Sequence, residues 1–235
     1  MQGLKNNWKQ FWLLVLINAF VGSMIGLERS IIPGLAGTLN VNSHTALLSF
    51  ILAFGISKAS FNLITGKISK KISRKRILIL GWLAALPVPF MLMYATSWEW
   101  VIIANLFLGI NQGLAWSATV IMKIDLVGEK DRGLAMGINE FAGYLAVGLA
   151  AFLASEIAVA RGFAFYPFIP GLFFAFGGLL LTLFFVKDTA LHVMHEAKNS
   201  TLPLYSKLWN EISYKHHNLG TVTINGFVNN LNDGV

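Results

Sequence analysis

Six long apolar runs divide this chain, near residues 11–32, 45–66, 77–96, 99–122, 134–157 and 163–186. Each reaches the roughly 20 residues that a helix needs to cross a bilayer. None alternates apolar and polar residues as a barrel strand does. Lipid offers no partner to backbone N–H and C=O groups, so the pattern predicts six transmembrane helices and an all-α membrane protein. Pro33 is expected to mark the exit of the first helix, because proline breaks the backbone ladder. From Lys187 to Leu219 the chain turns polar and basic, with amphipathic pieces such as LPLYSKLWNEI at 202–212, as expected of a linker lying on the membrane surface. A weakly apolar stretch resumes at Gly220. The expected organisation is therefore a polar segment at 1–10, a six-helix bundle at 11–186, a linker at 187–219, and at 220–235 the start of a seventh helix of a longer protein.

Composition agrees with this pattern. Charged residues make up 12% of the chain and hydrophobic ones 55%, whereas soluble domains carry about a quarter charged residues. The net charge of +7 could suggest a nucleic-acid partner, but the charge lies in short spacers between apolar runs, where it orients membrane helices instead. With no cysteine, disulfides, thiolate zinc sites and cysteine nucleophiles are excluded. The first run is too long for a signal-peptide core and lacks a small-x-small cleavage site, so it is expected to stay as a helix.

Counting Lys and Arg by side gives fifteen on the side of the N-terminus and one, Arg161, on the other, with Arg29 and Lys58 inside spans. The positive-inside rule then places the N-terminus and the linker in the cytoplasm. Six of the fifteen fall in one loop after the second span, GKISKKISRKR (66–76).

That loop carries a resemblance. The chain resembles the N-terminal half of a major facilitator superfamily (MFS) transporter, whose signature at this place reads Gly-x-x-x-Asp-Arg/Lys-x-Gly-Arg/Lys-Arg/Lys. Gly66, Lys71, Arg74 and Lys75 match, Arg76 extends the basic run, and Lys70 and Ser73 stand where Asp and Gly are usual. Glycine would let helices approach closely there, and the cations would meet acids or helix C-termini across the interface between two halves. A simple topogenic loop is the other reading. Arg132, Gly133, Ala135 and Gly137 are similar to the superfamily's loop between helices four and five, while Asn105 and Gly109 occupy a fourth-helix spacing that often begins with Arg. The resemblance implies a 3+3 arrangement in each half, two repeats of three helices, with solute bound between two halves that rock.

Polar groups at membrane depth are costly and functional by default. In the fourth span Asn105, Gly109, Gln112, Trp116, Thr119 and Lys123 share one helical face, and Asn111 lies beside it. Such a face could line a wet cavity or make hydrogen bonds between helices. Asn18, Gly22 and Arg29 share a face of the first span, with Glu28 on its shoulder, and Arg29 could act on solute or snorkel outward. Lys58 lies about 12 Å from the cytoplasmic end of the second span, with Asn62 and Thr65 on its face, and Glu140 lies at a similar depth in the fifth. Depth alone suggests a Lys58–Glu140 pair, the alternative being a Glu140 held at the interface with Asp125 and Arg132. The small residues Ala142, Gly143, Ala146, Ala150 and Ala154 form a stripe suited to helix packing.

No phosphate loop, metalloprotease order or cofactor motif is present; His192, His195 and Glu196 fall in the linker and suit a solvated segment, and no metal or cofactor is expected. The sequence therefore predicts secondary active transport of a small anionic or zwitterionic solute by alternating access, coupled to protons through Glu28 and Glu140. Asn18, Arg29, Lys58, Asn62, Asn105, Asn111, Gln112 and Trp116 are the candidate cavity residues. The expected partners are the bilayer of a bacterial-type cytoplasmic membrane, the solute, a proton and a second six-helix half. A non-transporting scaffold or sensor is the main alternative; a membrane enzyme is disfavoured because the spans lack a histidine apart from His44 at an edge.

Overall fold

The computed structural model describes residues 3–41, 43–69 and 71–189, the side chains at 44–47 excepted, together with Thr221 and Asn225. Lys70, the linker beyond Thr189 and most of the stretch expected to begin a seventh helix lie outside the described residues. Contacts divide the chain into two units, Met1–Met194 and His195–Val235. In the second, Thr221 and Asn225 are helical and exposed. The first unit carries the six helices.

These are α1 (Leu4–Thr38), α2 (His44–Ile68), α3 (Arg74–Met93), α4 (Trp98–Val127), α5 (Arg132–Arg161) and α6 (Tyr166–Phe185), all long and apolar enough to cross a membrane. Their ends follow local chemistry. The hydroxyl of Ser73 accepts from the Arg76 N–H and caps the start of α3. Gly128 and Gly162, both at positive φ, close α4 and α5 where a side chain would be strained. α3 is interrupted at Leu86, just before Pro87 and Pro89.

Two boundaries differ from expectation. α1 begins at Leu4, inside the segment assigned to a polar terminus, and runs through Pro33 to Thr38. Pro33 lies on an exposed face within one and a half turns of the helix end, where the loss of one ladder bond is tolerated.

The main helix pairings survive exchange of each helix with the one three places on. α1 packs chiefly on α5 and α2 on α4; α1 also meets α6 as α3 meets α4, and α3 meets α6. This is the 3+3 repeat that the resemblance implied. Its two main seams are built alike. Gly22 and Gly26 of α1 lie against the backbone of Gly143 and Val147 on α5, and Gly109 and Gly113 of α4 lie against Phe54, Ser57, Lys58 and Phe61 on α2. A Cβ at any of the four would collide, so bare backbone is what allows the helices this close. Windows of α1 and α4 are 61% buried and those of α2 and α5 only 22%, which puts α1 and α4 at the centre.

Candidate functional site

The polar face of α4 forms as expected, although a π-helical stretch at Gln112–Trp116 adds slack to its middle. What it faces divides into two parts. The larger part is packed interior. Asn105 donates to the Val101 carbonyl at 2.9 Å and reaches the Glu28 carboxyl. Asn111 donates to the Gly81 carbonyl on α3 at 2.9 Å, and Gln112 to the Val21 carbonyl on α1 at 2.8 Å. Thr119 donates to Asn18 Oδ1 at 2.9 Å, and Asn18 in turn to the Asn139 carbonyl at 3.1 Å. All of these are buried. Asn18, Asn105, Asn111 and Gln112 thus join α1, α3, α4 and α5 to one another, in line with interhelical bonding rather than an open lining.

The smaller part is half-open and crosses three helices. Ser117 donates to Asn62 Oδ1 on α2 at 2.8 Å. Beside it, Trp116 directs its indole N–H at Glu140 Oε1 on α5, 3.4 Å away, and meets Tyr144 edge-on with ring centroids 6.0 Å apart. Asn139 Nδ2 also donates to Glu140 Oε1, at 2.8 Å. Asn62, Trp116, Ser117 and Glu140 are half-buried and Tyr144 is exposed, so this strip offers amide, indole, hydroxyl and carboxylate groups together.

Two cations stand by one ring. The Arg29 guanidinium lies 5.2 Å and the Lys58 ammonium 5.8 Å from the centroid of the buried Phe54, one from α1 and one from α2. The negative face of the ring attracts both, which holds like charges together at partial cost. Lys58 also lies one turn from Asn62, next to the strip. Glu28, the neighbour of Arg29, is buried, and its Oε1 has no hydrogen-bond partner among the described residues.

Equal depth did not make Lys58 and Glu140 partners. Glu140 bonds to Trp116 and Asn139 and feels the charge of Lys123, while Lys58 sits over Phe54 of its own helix. Depth fixes height but not azimuth, and α5 packs on α1 whereas α2 packs on α4. Asp125 does not hold Glu140 either, being paired with Arg74.

At the basic end, the loop turns inward. Arg74 pairs with Asp125 of α4 at 3.2 Å and donates to the Ser69 carbonyl at 3.0 Å. Lys75 Nζ donates to the Leu183 carbonyl near the end of α6 at 2.9 Å, Ser73 hydrogen-bonds Asp188, and Thr189 donates to Asp125 at 2.7 Å. The contacts expected across two halves are made here within one six-helix body. Lys71 and Arg76 stay exposed and Arg132 is half-buried. No other group comes within 4 Å of a Cβ built on Gly66 or Gly133, so neither glycine serves a close approach among the described residues.

Lys123 is the largest departure. Set on the face of the fourth span and also included among the fifteen cations of the N-terminal side, it lies inside α4 and is 1% exposed; removing it from the tally leaves fourteen against one. Sequence reasoning also passed over Phe54, Ser117, Asn139 and Tyr144. A signal was available for the seams: Asn18-x-x-x-Gly22-x-x-x-Gly26 recurs 87 residues later as Asn105-x-x-x-Gly109-x-x-x-Gly113.

The model of the Major Facilitator Superfamily matches residues 11–228. The chain belongs to the Major Facilitator Superfamily. No curated protein is similar enough to match it. Membership carries membrane transport of a solute and an integral position in the bilayer. Within a superfamily member, the half-open strip of α2, α4 and α5 and the Arg29–Phe54–Lys58 cluster become the candidate solute site. Asn18, Asn105, Asn111 and Gln112 become the frame behind it.

Proposed function

We propose that the protein is a secondary active transporter that moves a small anionic or zwitterionic solute by alternating access, driven by protons. The observation that carries this reading is the convergence of Arg29 and Lys58 on the Phe54 ring, beside a half-open polar strip. Two cations from different helices, partly withdrawn from water, suit an anionic group by charge and by the donors they carry. Glu28 and Glu140 are the proton carriers, one buried behind the cations and one at the strip. A second six-helix body covers α2 and α5, whose sides away from α4 and α1 are largely open, and encloses the solute between the two. The basic end faces the cytoplasm of a bacterial-type cell, in keeping with the charge asymmetry of the loops. The protein performs no covalent chemistry on its solute.

The test is uptake into proteoliposomes containing the full chain, with an imposed pH gradient and a panel of labelled carboxylates, phosphate esters and amino-acid-like zwitterions. Accumulation of a member of this panel that collapses with a protonophore supports the reading. Carriage of cationic or neutral solutes alone would count against it.

A further inference from the structure

Packing does not account for Lys123. Its side chain is 1% exposed, and among the described residues its hydrogen bond is to the Leu14 carbonyl of α1, at 3.4 Å. An ammonium carries three donors, and a buried one draws in whatever acceptors it can reach.

The carboxylate acting on it is Glu140 of α5. Asn139 neighbours both. Its Nδ2 donates to Glu140 Oε1 at 2.8 Å, while its Oδ1 is buried and, among the described residues, without a hydrogen-bond partner. Lys123 and Asn139 line the same small gap between α4 and α5, whose other walls are apolar apart from backbone. A cation with spare donors and an oxygen lacking a donor therefore share one gap, and the same amide holds the carboxylate.

Other charges near Lys123 are engaged or distant. On α1, Lys5 and Lys9 are exposed, and Glu28 and Arg29 come 14 and 15 residues after Leu14. On α3, Arg74 pairs with Asp125, which lies on α4 itself. On α5, Arg132 lies in the first turn, two turns before Glu140.

We propose that Lys123, Asn139 and Glu140 form the coupling centre of this transporter. With Glu140 ionised, Lys123 turns to Asn139 Oδ1 and through the amide is tied to the carboxylate, drawing α4 onto α5. With Glu140 protonated that attraction is lost, and the Leu14 carbonyl keeps the ammonium on α1. The proposal rests on the transport reading above and names the residues through which a proton reaches helix packing. Here Lys123 and Asn139 are positioning residues, and Glu140 takes the proton.

Trp116 supplies a readout that needs no solute, because its indole N–H points at Glu140. The full chain in detergent is titrated with pH, and the signal is the part of the tryptophan emission lost in Trp116→Phe. We expect one pH-dependent change, absent in Glu140→Gln and moved to higher pH in Lys123→Met, which removes the neighbouring positive charge. Lys123→Arg, which keeps the charge, returns the midpoint towards that of the unaltered protein. An unmoved midpoint in Lys123→Met, or a titration that survives Glu140→Gln, overturns the proposal. Thermal unfolding gives a second arm: Glu140→Gln strands the buried cation, so adding Lys123→Met should recover melting temperature. Additive losses in the double variant also overturn the proposal. These outcomes do not depend on transport, so a failure to carry solute would count against the transport reading alone.

Discussion

Gly22 of α1 lies so close to the backbone of Gly143 on α5 that no side chain fits between them. The same holds for Gly109 of α4 against Ser57 and Phe54 on α2, where a Cβ would stand 2.6 Å from the Ser57 Cβ and 2.7 Å from the Phe54 carbonyl oxygen. Gly22→Ala and Gly109→Ala should each destabilise the fold by about 1–3 kcal/mol, since backbone cannot yield as a flexible side chain does. Gly66→Ala and Gly133→Ala meet open space, so the better helix propensity of alanine should leave stability unchanged or raised by up to about 1 kcal/mol. Thermal unfolding of the four variants in one detergent measures the contrast. Equal losses at all four would contradict the assignment of the seams.

The Arg74–Asp125 pair is the tie between the basic loop and α4, with side chains 14% and 9% exposed. Arg74→Gln and Asp125→Asn should each lower stability, and the double variant should lose less than the sum. A coupling of about 0.5–3 kcal/mol is expected for groups in contact. Lys71→Gln, at an exposed site of the same loop, should change nothing measurable. A coupling of zero would mean that the loop acts only through its charge.

The ring of Phe54 gives Arg29 and Lys58 a shared seat. Arg29→Gln and Lys58→Gln should each raise the KM for an anionic solute by about tenfold, the equivalent of roughly 1.4 kcal/mol of lost binding. Phe54→Leu keeps the bulk but removes the cation–π attraction, so a smaller rise is expected, up to about fivefold for roughly 1 kcal/mol. Uptake kinetics read all three. An unchanged KM in both cation variants would move the anion site elsewhere.

Six helices were legible because length and apolarity are nearly sufficient conditions in a membrane. The face of α4 was legible too, since periodicity states which residues lie together. Periodicity does not state what the face meets. Asn105 and Gln112 share a stripe with Trp116, yet the first two are buried in helix contacts and the third is half-open. Only the placement of α1 and α5 decides between them. The burial of Lys123 was not legible for the same reason: its place on the face of the fourth span follows from periodicity, but its burial depends on Leu14, over a hundred residues earlier. The π-helical stretch at Gln112–Trp116 has no sequence signature that we can identify. The seams, in contrast, were written in the repeated Asn-x-x-x-Gly-x-x-x-Gly of α1 and α4.

Orientation is open to a direct check, because the chain has no cysteine. Single cysteines at the exposed Lys71 and Glu129 should react with an impermeant thiol reagent only from the cytoplasmic side. Those at the exposed Asn40 and Thr96 should react only from outside. Reaction of Lys71→Cys and Asn40→Cys from the same side would contradict the six-span arrangement.

The central claim is proton-driven movement of an anionic or zwitterionic solute, and lumenal pH in proteoliposomes tests it most directly. The full chain is reconstituted with a pH-sensitive dye inside, and candidate carboxylates and zwitterions are added one at a time outside, without a prior gradient. The account predicts that a transported solute changes lumenal pH in step with its own uptake, that Glu140→Gln abolishes the pH change, and that Arg29→Gln weakens its concentration dependence. Solute uptake with no accompanying pH change, or a pH change that persists unaltered in Glu140→Gln, would contradict it.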